Sequence, residues 1–344
     1  MVASREPSTP AEATAQMLAW LNSDLLVQAL YAAAAFGVAD LVADGAKDTH
    51  ELAAATGAAA RPLYRLLRML ASHGVFREDE QGRFGLTPLA ATLRRDRPGS
   101  VRDWVLFVGD PACWSASGTL LRAVRTGESA FAAANGLSLD AYLAQQPALS
   151  ATFDAWMTRQ SGLHNDALIG AFDFSAVHTV VDVGGGQGAT LAAILRANAS
   201  LRGTLFDLPY VVADTDPLRE AGVLDRCAVI AGDAVVGVPA GGDCYVVKRV
   251  LMSESDEAAV AILRNCAAVL PADGRVLIIE MIVPPGNGAS LSKEFDIRML
   301  VQRESGAGIR TEAEFGAMCA AAGLRLVRVI PTASPNSILE AVRA

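Results

Sequence analysis

One stretch constrains the fold of this sequence more than any other. Thr179-Val-Val-Asp-Val183 runs directly into Gly184-Gly185-Gly186-Gln187-Gly188. The first five residues, apolar except for Thr179 and Asp182, read as a buried strand. The glycines behind them permit a backbone with φ > 0 that a ligand can touch. They fall as GGGxG, not GxGxxG, and no Lys-Ser/Thr follows. The loop therefore points away from both a pyrophosphate cradle and a P-loop. From about residue 178 the pattern alternates. Strands are expected at 179–183, 203–207, 227–231, 243–248, 275–280, 325–330 and 337–342, and helices at 188–197, 256–269 and 311–322. That rhythm implies an α/β fold with a Rossmann-like, doubly wound sheet.

Two acids follow the loop in order. Asp207 ends Thr204-Leu-Phe206-Asp207-Leu208-Pro209, about 20 residues on, where a carboxylate can accept hydrogen bonds from ribose hydroxyls. Asp233 ends Ala231-Gly232-Asp233-Ala234, placed to read an adenine amino group. Either acid alone reads equally well as a turn residue. Three successive strand ends carrying a glycine loop, Asp and Gly-Asp make the turn reading the weaker one.

The N-terminal part reads as helical. Thr14 to Phe36 has Met17, Leu18, Leu21, Leu25, Leu26 and Leu30 at helical spacing, too much apolar surface for a solvated helix, so a homodimer interface is expected. Asp48 opens a short helix to Thr56. Pro62 to His73 forms another, stopped by Gly74, with Leu63, Leu66, Leu67 and Leu70 on one side. Val75–Arg77 and Arg83–Leu86 flank a turn and read as a hairpin, which completes a winged-helix pattern. Arg61, Arg65 and Arg68 form a stripe that a DNA-binding regulator would use. A net charge of −8 favours the bland reading, a solvated basic stripe, and argues against nucleic acid. The first dozen residues, with two prolines, read as a frayed end.

Residues 100 to 170 are mostly helical and concentrate Trp104, Phe107, Trp114, Phe131, Tyr142, Phe153, Trp156 and Met157, as core or as the wall of a pocket for a flat organic substrate. Three regions are thus expected: 1–100, a helical winged-helix dimerisation domain; 101–170, a helical linker contributing to the pocket; and 171–344, the Rossmann-like domain. Five scattered cysteines, never in CxxC spacing, speak against a disulfide framework or zinc cluster and for a reducing, cytoplasmic setting. Neither an apolar signal region nor an uninterrupted apolar run of ~18 residues is visible, so no membrane span is expected.

The DVGGGQG, FDLP, AGD and VVKRVL segments, in this order and spacing, resemble those of class I S-adenosylmethionine-dependent O-methyltransferases. More narrowly, the chain resembles the plant caffeic-acid-type and bacterial polyketide and phenazine O-methyltransferases over roughly residues 15 to 344. The resemblance implies S-adenosylmethionine as cofactor and an N-terminal winged-helix dimerisation domain. It implies Gly184 and Gly186 against the methionine part of the cofactor, Asp207 with Leu208 at the ribose, Asp233 at the adenine, and Ala234 near the ring in place of the larger Met or Phe common there. It also implies contacts from Lys248 and, near the cofactor carboxylate, Ser161. By the same correspondence the substrate pocket takes Met157, Gln160, Met252, Met299, Leu300, Arg303 and Glu304. Arg303 reads as a partner for an anionic substrate or as a surface arginine.

One departure stands out. The family usually supplies a histidine base in a His-Asp-Trp run after Lys-x-Val-Leu, oriented by two glutamates. A positioned base contributes roughly 10²–10⁴-fold. Here the run is Met252-Ser253-Glu254. One glutamate is present as Glu280, and the other position is Ile309 in Ile309-Arg310-Thr311. Three readings follow. An acidic phenol, enol or carboxylate arrives already ionised and is methylated by proximity. Or the base has moved to His164, one helical turn after Gln160; His50, His73 and His178 have no such argument. Or the cofactor serves only as a charge or scaffold in a non-methylating pericyclase, cyclase or hydroxylase. Glu280 and His164 are the catalytic candidates. No metal is expected, because no His/Asp/Cys cluster has ligand spacing.

Overall fold

The structure, a computed structural model, describes residues 8–303 and 306–344. It divides into two compact units: the chain up to Ser115 together with Leu143–Arg159, and Ala116–Tyr142 together with Gln160–Ala344. The stretch 101–170 is shared between them.

In the first unit the expected helix over 14–36 is two helices, Pro10–Leu21 and Ser23–Ala35, parted at Asn22. Asn22 leaves the helical region, and its side-chain amide donates to Leu18 O. The first dozen residues are not frayed throughout. Thr9 and Glu12 form a reciprocal capping box, and Pro10 sits at the first helical position, where its missing N–H costs nothing. Residues 1–7 lie outside the described residues. Asp48 caps Thr49–Thr56 by accepting from the N–H groups of His50 and Glu51. The next helix, Ala60–Ser72, starts two residues before Pro62, which stays within the first turn. Strands β1 (Phe76–Glu78) and β2 (Phe84–Leu86) pair antiparallel as the expected hairpin. Leu52, Leu63, Leu67, Leu70, Phe76 and Phe84 form the core. Of the expected aromatics, Trp104 stacks on Trp156 at 5.4 Å and Phe107 packs on Phe153 at 4.9 Å.

The second unit is built on seven strands: β3 (Thr179–Val183), β4 (Arg202–Asp207), β5 (Cys227–Ala231), β6 (Cys244–Lys248), β7 (Arg275–Glu280), β8 (Leu324–Pro331) and β9 (Ser337–Arg343). They are ordered β5-β4-β3-β6-β7-β9-β8. The first five run parallel, and β9 is antiparallel to both neighbours. Alternate residues bury on opposite faces, as a pleat requires. Val181, Val183, Tyr245, Val247, Val276 and Ile278 pack on the Asp256–Val269 and Glu312–Ala321 helices, whereas Val180, Val246, Leu277 and Ile279 pack on the Ala189–Ala197 helix. Cutting one such side chain to Ala costs roughly 2–5 kcal/mol. Strand order reverses between β3 and β6, so the loops leaving the carboxyl ends of β3, β4 and β6 open onto one crevice, the usual ligand position in such sheets.

Candidate cofactor and acceptor site

Three glycines of the loop after β3 hold left-handed backbone: Gly184 (φ 66°), Gly186 (φ 61°) and Gly188 (φ 89°). A Cβ at Gly184 would come within 2.5 Å of Val250, and one at Gly185 within 2.7 Å of the Asp182 carboxylate. At Gly186 a Cβ would meet nothing within 4 Å, so this position faces open space. The Gly186 N–H donates to Asp207 Oδ2 at 2.8 Å, and the Leu208 N–H donates to Oδ1 at 2.7 Å. Asp207 is thereby fixed at the end of β4. Burial raises its pKa, and these two N–H groups oppose the rise. Asp233 is exposed and accepts from the Val235 N–H, while the carbonyl of half-buried Ala234 accepts from Asn265.

Lys248, at the end of β6, donates to Asn165 Oδ1 at 3.1 Å and Thr190 Oγ1 at 3.0 Å. Asp182, the one charge inside β3, has both oxygens buried and no hydrogen-bond partner among the described residues. Burial pushes its carboxyl up to about 7, against the pull of Lys248. Burial likewise brings Lys248 down to about 8, against the pull of Asp182. Asn165 lies on the Pro147–Ala171 helix, one turn after Ser161 and therefore on the same side of it. Gln160, which is buried, and His164, which is half-buried, form the adjacent i,i+4 pair. Burial first, then the charges of Lys248 and Arg249, lower the His164 pKa and keep its ring neutral.

Beyond Lys248 the surroundings turn apolar. Met252, Met281, Met299 and Ile309 pack together with Val283 and Phe295. Met252 and Ile309, the two positions expected from the sequence to depart from the family pattern, are thus neighbours in space. Glu280 lies fully buried at the end of β7 and accepts from the Met252 N–H at 3.3 Å through Oε1; its Oε2 has no partner among the described residues. Burial pushes this carboxyl up to about 7, with the charge of Arg249 the largest opposing influence. Arg310 braces the turn around Met252, donating to Leu251 O at 2.6 Å, Glu254 O at 2.9 Å and Asp256 at 2.8 Å. Leu300 is half-buried beside Met299 on the Leu291–Gln302 helix.

Arg303 pairs with the exposed carboxylate of Asp140, at 3.0 Å and 3.3 Å. Glu304 lies outside the described residues. Met157 is half-buried in the first unit and is not grouped with the others. Among the described residues no group of three or more His, Cys, Asp and Glu side chains is arranged to hold a metal ion. Sequence reading passed over Asn165, Thr190, Met281 and Arg249. Only Arg249 left a signal, as a charge directly after a buried strand.

Comparison with known proteins identifies the family of the chain. A family model described as an O-methyltransferase domain matches residues 118–325, and one described as an O-methyltransferase dimerisation domain matches residues 19–96. The chain is 44% identical to the phenazine O-methyltransferase PhzM of Lysobacter antibioticus, over 94% of this chain and 95% of that one. It is 35% identical to a mitomycin biosynthesis 6-O-methyltransferase of Streptomyces lavendulae, over 100% of both chains. Among solved structures it resembles a methyltransferase of calicheamicin biosynthesis in an SAH-bound form, with TM-score 0.87, 41% identity and coverage of 98% of this chain and 100% of that one.

Proposed function

Because this chain belongs to the O-methyltransferase family, we propose that it moves a methyl group from S-adenosylmethionine to a hydroxyl oxygen of an aromatic or polyketide-like natural product, without a histidine base. The observation that carries the second half is the packing of Met252 against Ile309, Met281 and Met299, which leaves the usual base position apolar. The relatives above are named as methyltransferases, which favours methyl transfer over a non-methylating pericyclase or hydroxylase.

The residues present fit the cofactor. Gly186 leaves open space over the loop, and Asp207 offers a fixed carboxylate at the end of β4. In this reading Gly184, Gly186, Ser161 and Lys248 take the methionine part, Asp207 and Leu208 the ribose, and Asp233 and Ala234 the adenine. Bound there, S-adenosylmethionine supplies an electrophilic methyl group on a sulfonium. The chain's own part is positioning and exclusion of water. Gln160, Met252, Met299 and Leu300 form the acceptor side, where thioether side chains adapt to a flat ring. An acidic hydroxyl that arrives as its anion needs only alignment with the methyl group. Glu280, wholly buried and tied to the Met252 N–H, acts through its charge and does not touch the acceptor. Burial, and after it the charges of Lys248 and Arg249, lower the His164 pKa and oppose its taking a proton, so it makes a weak relocated base.

The same reading makes the protein a homodimer, with exposed Met17, Leu18, Trp20 and Leu21 as the apolar face available for pairing. It also places the enzyme in the cytoplasm, in keeping with five free cysteines; no described helix is long and apolar enough to cross a membrane. The test is incubation with methyl-labelled S-adenosylmethionine and a panel of acidic phenazinols, hydroxynaphthoates and phenols. Label is expected on oxygen. Substrate conversion without label in the product would overturn the reading.

A further inference from the structure

Arg249 is built unlike the other arginines around it. Arg310 donates through its guanidinium to the Leu251 and Glu254 carbonyls and to Asp256. Arg249 has a buried Nε with no hydrogen-bond partner, and its guanidinium forms no ion pair among the described residues. Its guanidinium carbon lies over the Phe295 ring, 5.9 Å from the centroid. Its backbone is held at φ 56°, the left-handed region that non-glycine residues avoid, while its N–H is tied to Ile279 O at 3.0 Å. Strain of this kind persists where the surrounding structure fixes a side chain in place, and a buried donor without a partner is rare unless something else fills that need.

The position gives the donor a purpose. Arg249 directly follows Lys248 at the carboxyl end of β6, and Phe295 belongs to the group that packs around Met252. The charged and titratable groups around it are Glu280 from β7, Lys248 beside it, and His164 from the Pro147–Ala171 helix. Arg310 stands behind Glu280, and Asp182 behind Lys248. Glu280 leaves one oxygen bare and does not close on Arg249. A cation is therefore held between a buried acid and an apolar slot, with donors to spare.

Resting on the methyl-transfer reading of this site, we infer that Arg249 grips the ionised acceptor oxygen of the substrate, which makes the substrate class an acidic phenol or enol bound as its oxyanion. The hydroxyl proton leaves to solvent; the freed oxygen lone pair would form the bond to the methyl carbon as the S–CH3 bond of bound S-adenosylmethionine breaks, the sulfur keeping that bond's electron pair and leaving as S-adenosylhomocysteine. The guanidinium lowers the acceptor's pKa, so charge stabilisation does the work that proton abstraction does elsewhere. Glu280 tempers the charge of Arg249 and acts as a positioning residue.

The experiment is an optical titration of 4-nitrophenol bound to the full-length protein, with S-adenosylhomocysteine present so that no turnover intervenes. Bound to the wild type, the probe should ionise at least about one pH unit below the free phenol, a tenfold change in the equilibrium. Arg249→Gln should abolish the shift, Arg249→Lys should keep part of it, and Glu280→Gln should enlarge it. The Lys variant retains the charge, so it answers the question even where the Gln variant fails to fold. An unshifted wild-type titration, a probe that does not bind, or an equal shift in Arg249→Gln or Arg249→Lys with the Glu280→Gln shift unchanged would each overturn the inference. The two readings fail separately: a shifted titration without label transfer removes methyl transfer alone, and label transfer with an unshifted titration removes Arg249 alone.

Discussion

The two sides of the crevice solve the problem of buried charge differently. On the cofactor side Asp207 and Lys248 meet hydrogen-bond partners inside the protein, while Asp182 keeps both oxygens bare and is answered by the charge of Lys248. Asp207 accepts two backbone N–H groups, and Lys248 is held by Asn165 and Thr190 and pulled on by Asp182. On the acceptor side Arg249 and Glu280 each keep a bare buried atom, set in a group of methionines and Ile309. On the first side Asp207 and Lys248 are held in place before any ligand arrives. The second is left electrostatically incomplete, which suits a site whose missing partner is an anion carried in by the substrate.

The sharpest break in this comparison is Asp207→Ala. It removes the fixed carboxylate and frees the Gly186 and Leu208 N–H groups, so calorimetry with S-adenosylhomocysteine should show affinity reduced roughly a hundredfold or more, from two charge-assisted hydrogen bonds. An unchanged affinity would detach the cofactor from the end of β4.

The incomplete side should show in stability against pH. Glu280 has an ordinary pKa of 4.5 and is pushed up to about 7 in the fold. Between those values the unfolded chain has released the proton and the folded chain still holds it, so stability falls as pH rises and levels off above about 7. The full loss is about 3 kcal/mol. Denaturant unfolding should record it, and Glu280→Gln should remove this share, leaving the parallel fall from Asp182, which is also pushed up to about 7.

How much of this contrast was legible in the sequence follows the same division. Strands β3, β5 and β7 were readable to the residue, because strands of a parallel sheet are near-continuous apolar runs between turn signals. The Leu291–Gln302 helix was not, since Lys293, Glu294, Asp296 and Arg298 interrupt its apolar pattern. The split of the first helix was hidden because Asn22 is no stronger a breaker than its neighbours. At the site, Asp207 announced itself by its place after the glycine loop. Asn165 and Thr190 did not: they reach Lys248 from 83 and 58 residues away, and polar residues on helices carry no signature of what they face. Arg249 was visible as a residue and opaque as a role, because a partner that is lacking shows only in three dimensions.

A smaller effect sharpens the acceptor side. Met252→His places an imidazole over Glu280 without the second acid, since Ile309 remains. Label transfer to an acidic nitrophenol should change by less than about threefold, and transfer to an ordinary phenol should rise by no more than about tenfold, short of the full worth of a positioned base. A gain of several hundredfold on both would mean that proton removal limits the natural enzyme.

The claim that the acceptor arrives ionised is tested most directly by pH profiles of kcat/KM for a series of phenols of graded acidity. With Arg249 in place of a base, each profile should rise with pH and level off at an inflection that follows the acidity of its own phenol. A single inflection shared by all the phenols, and lost in His164→Ala or Glu280→Gln, would assign the proton to a protein base and contradict the account.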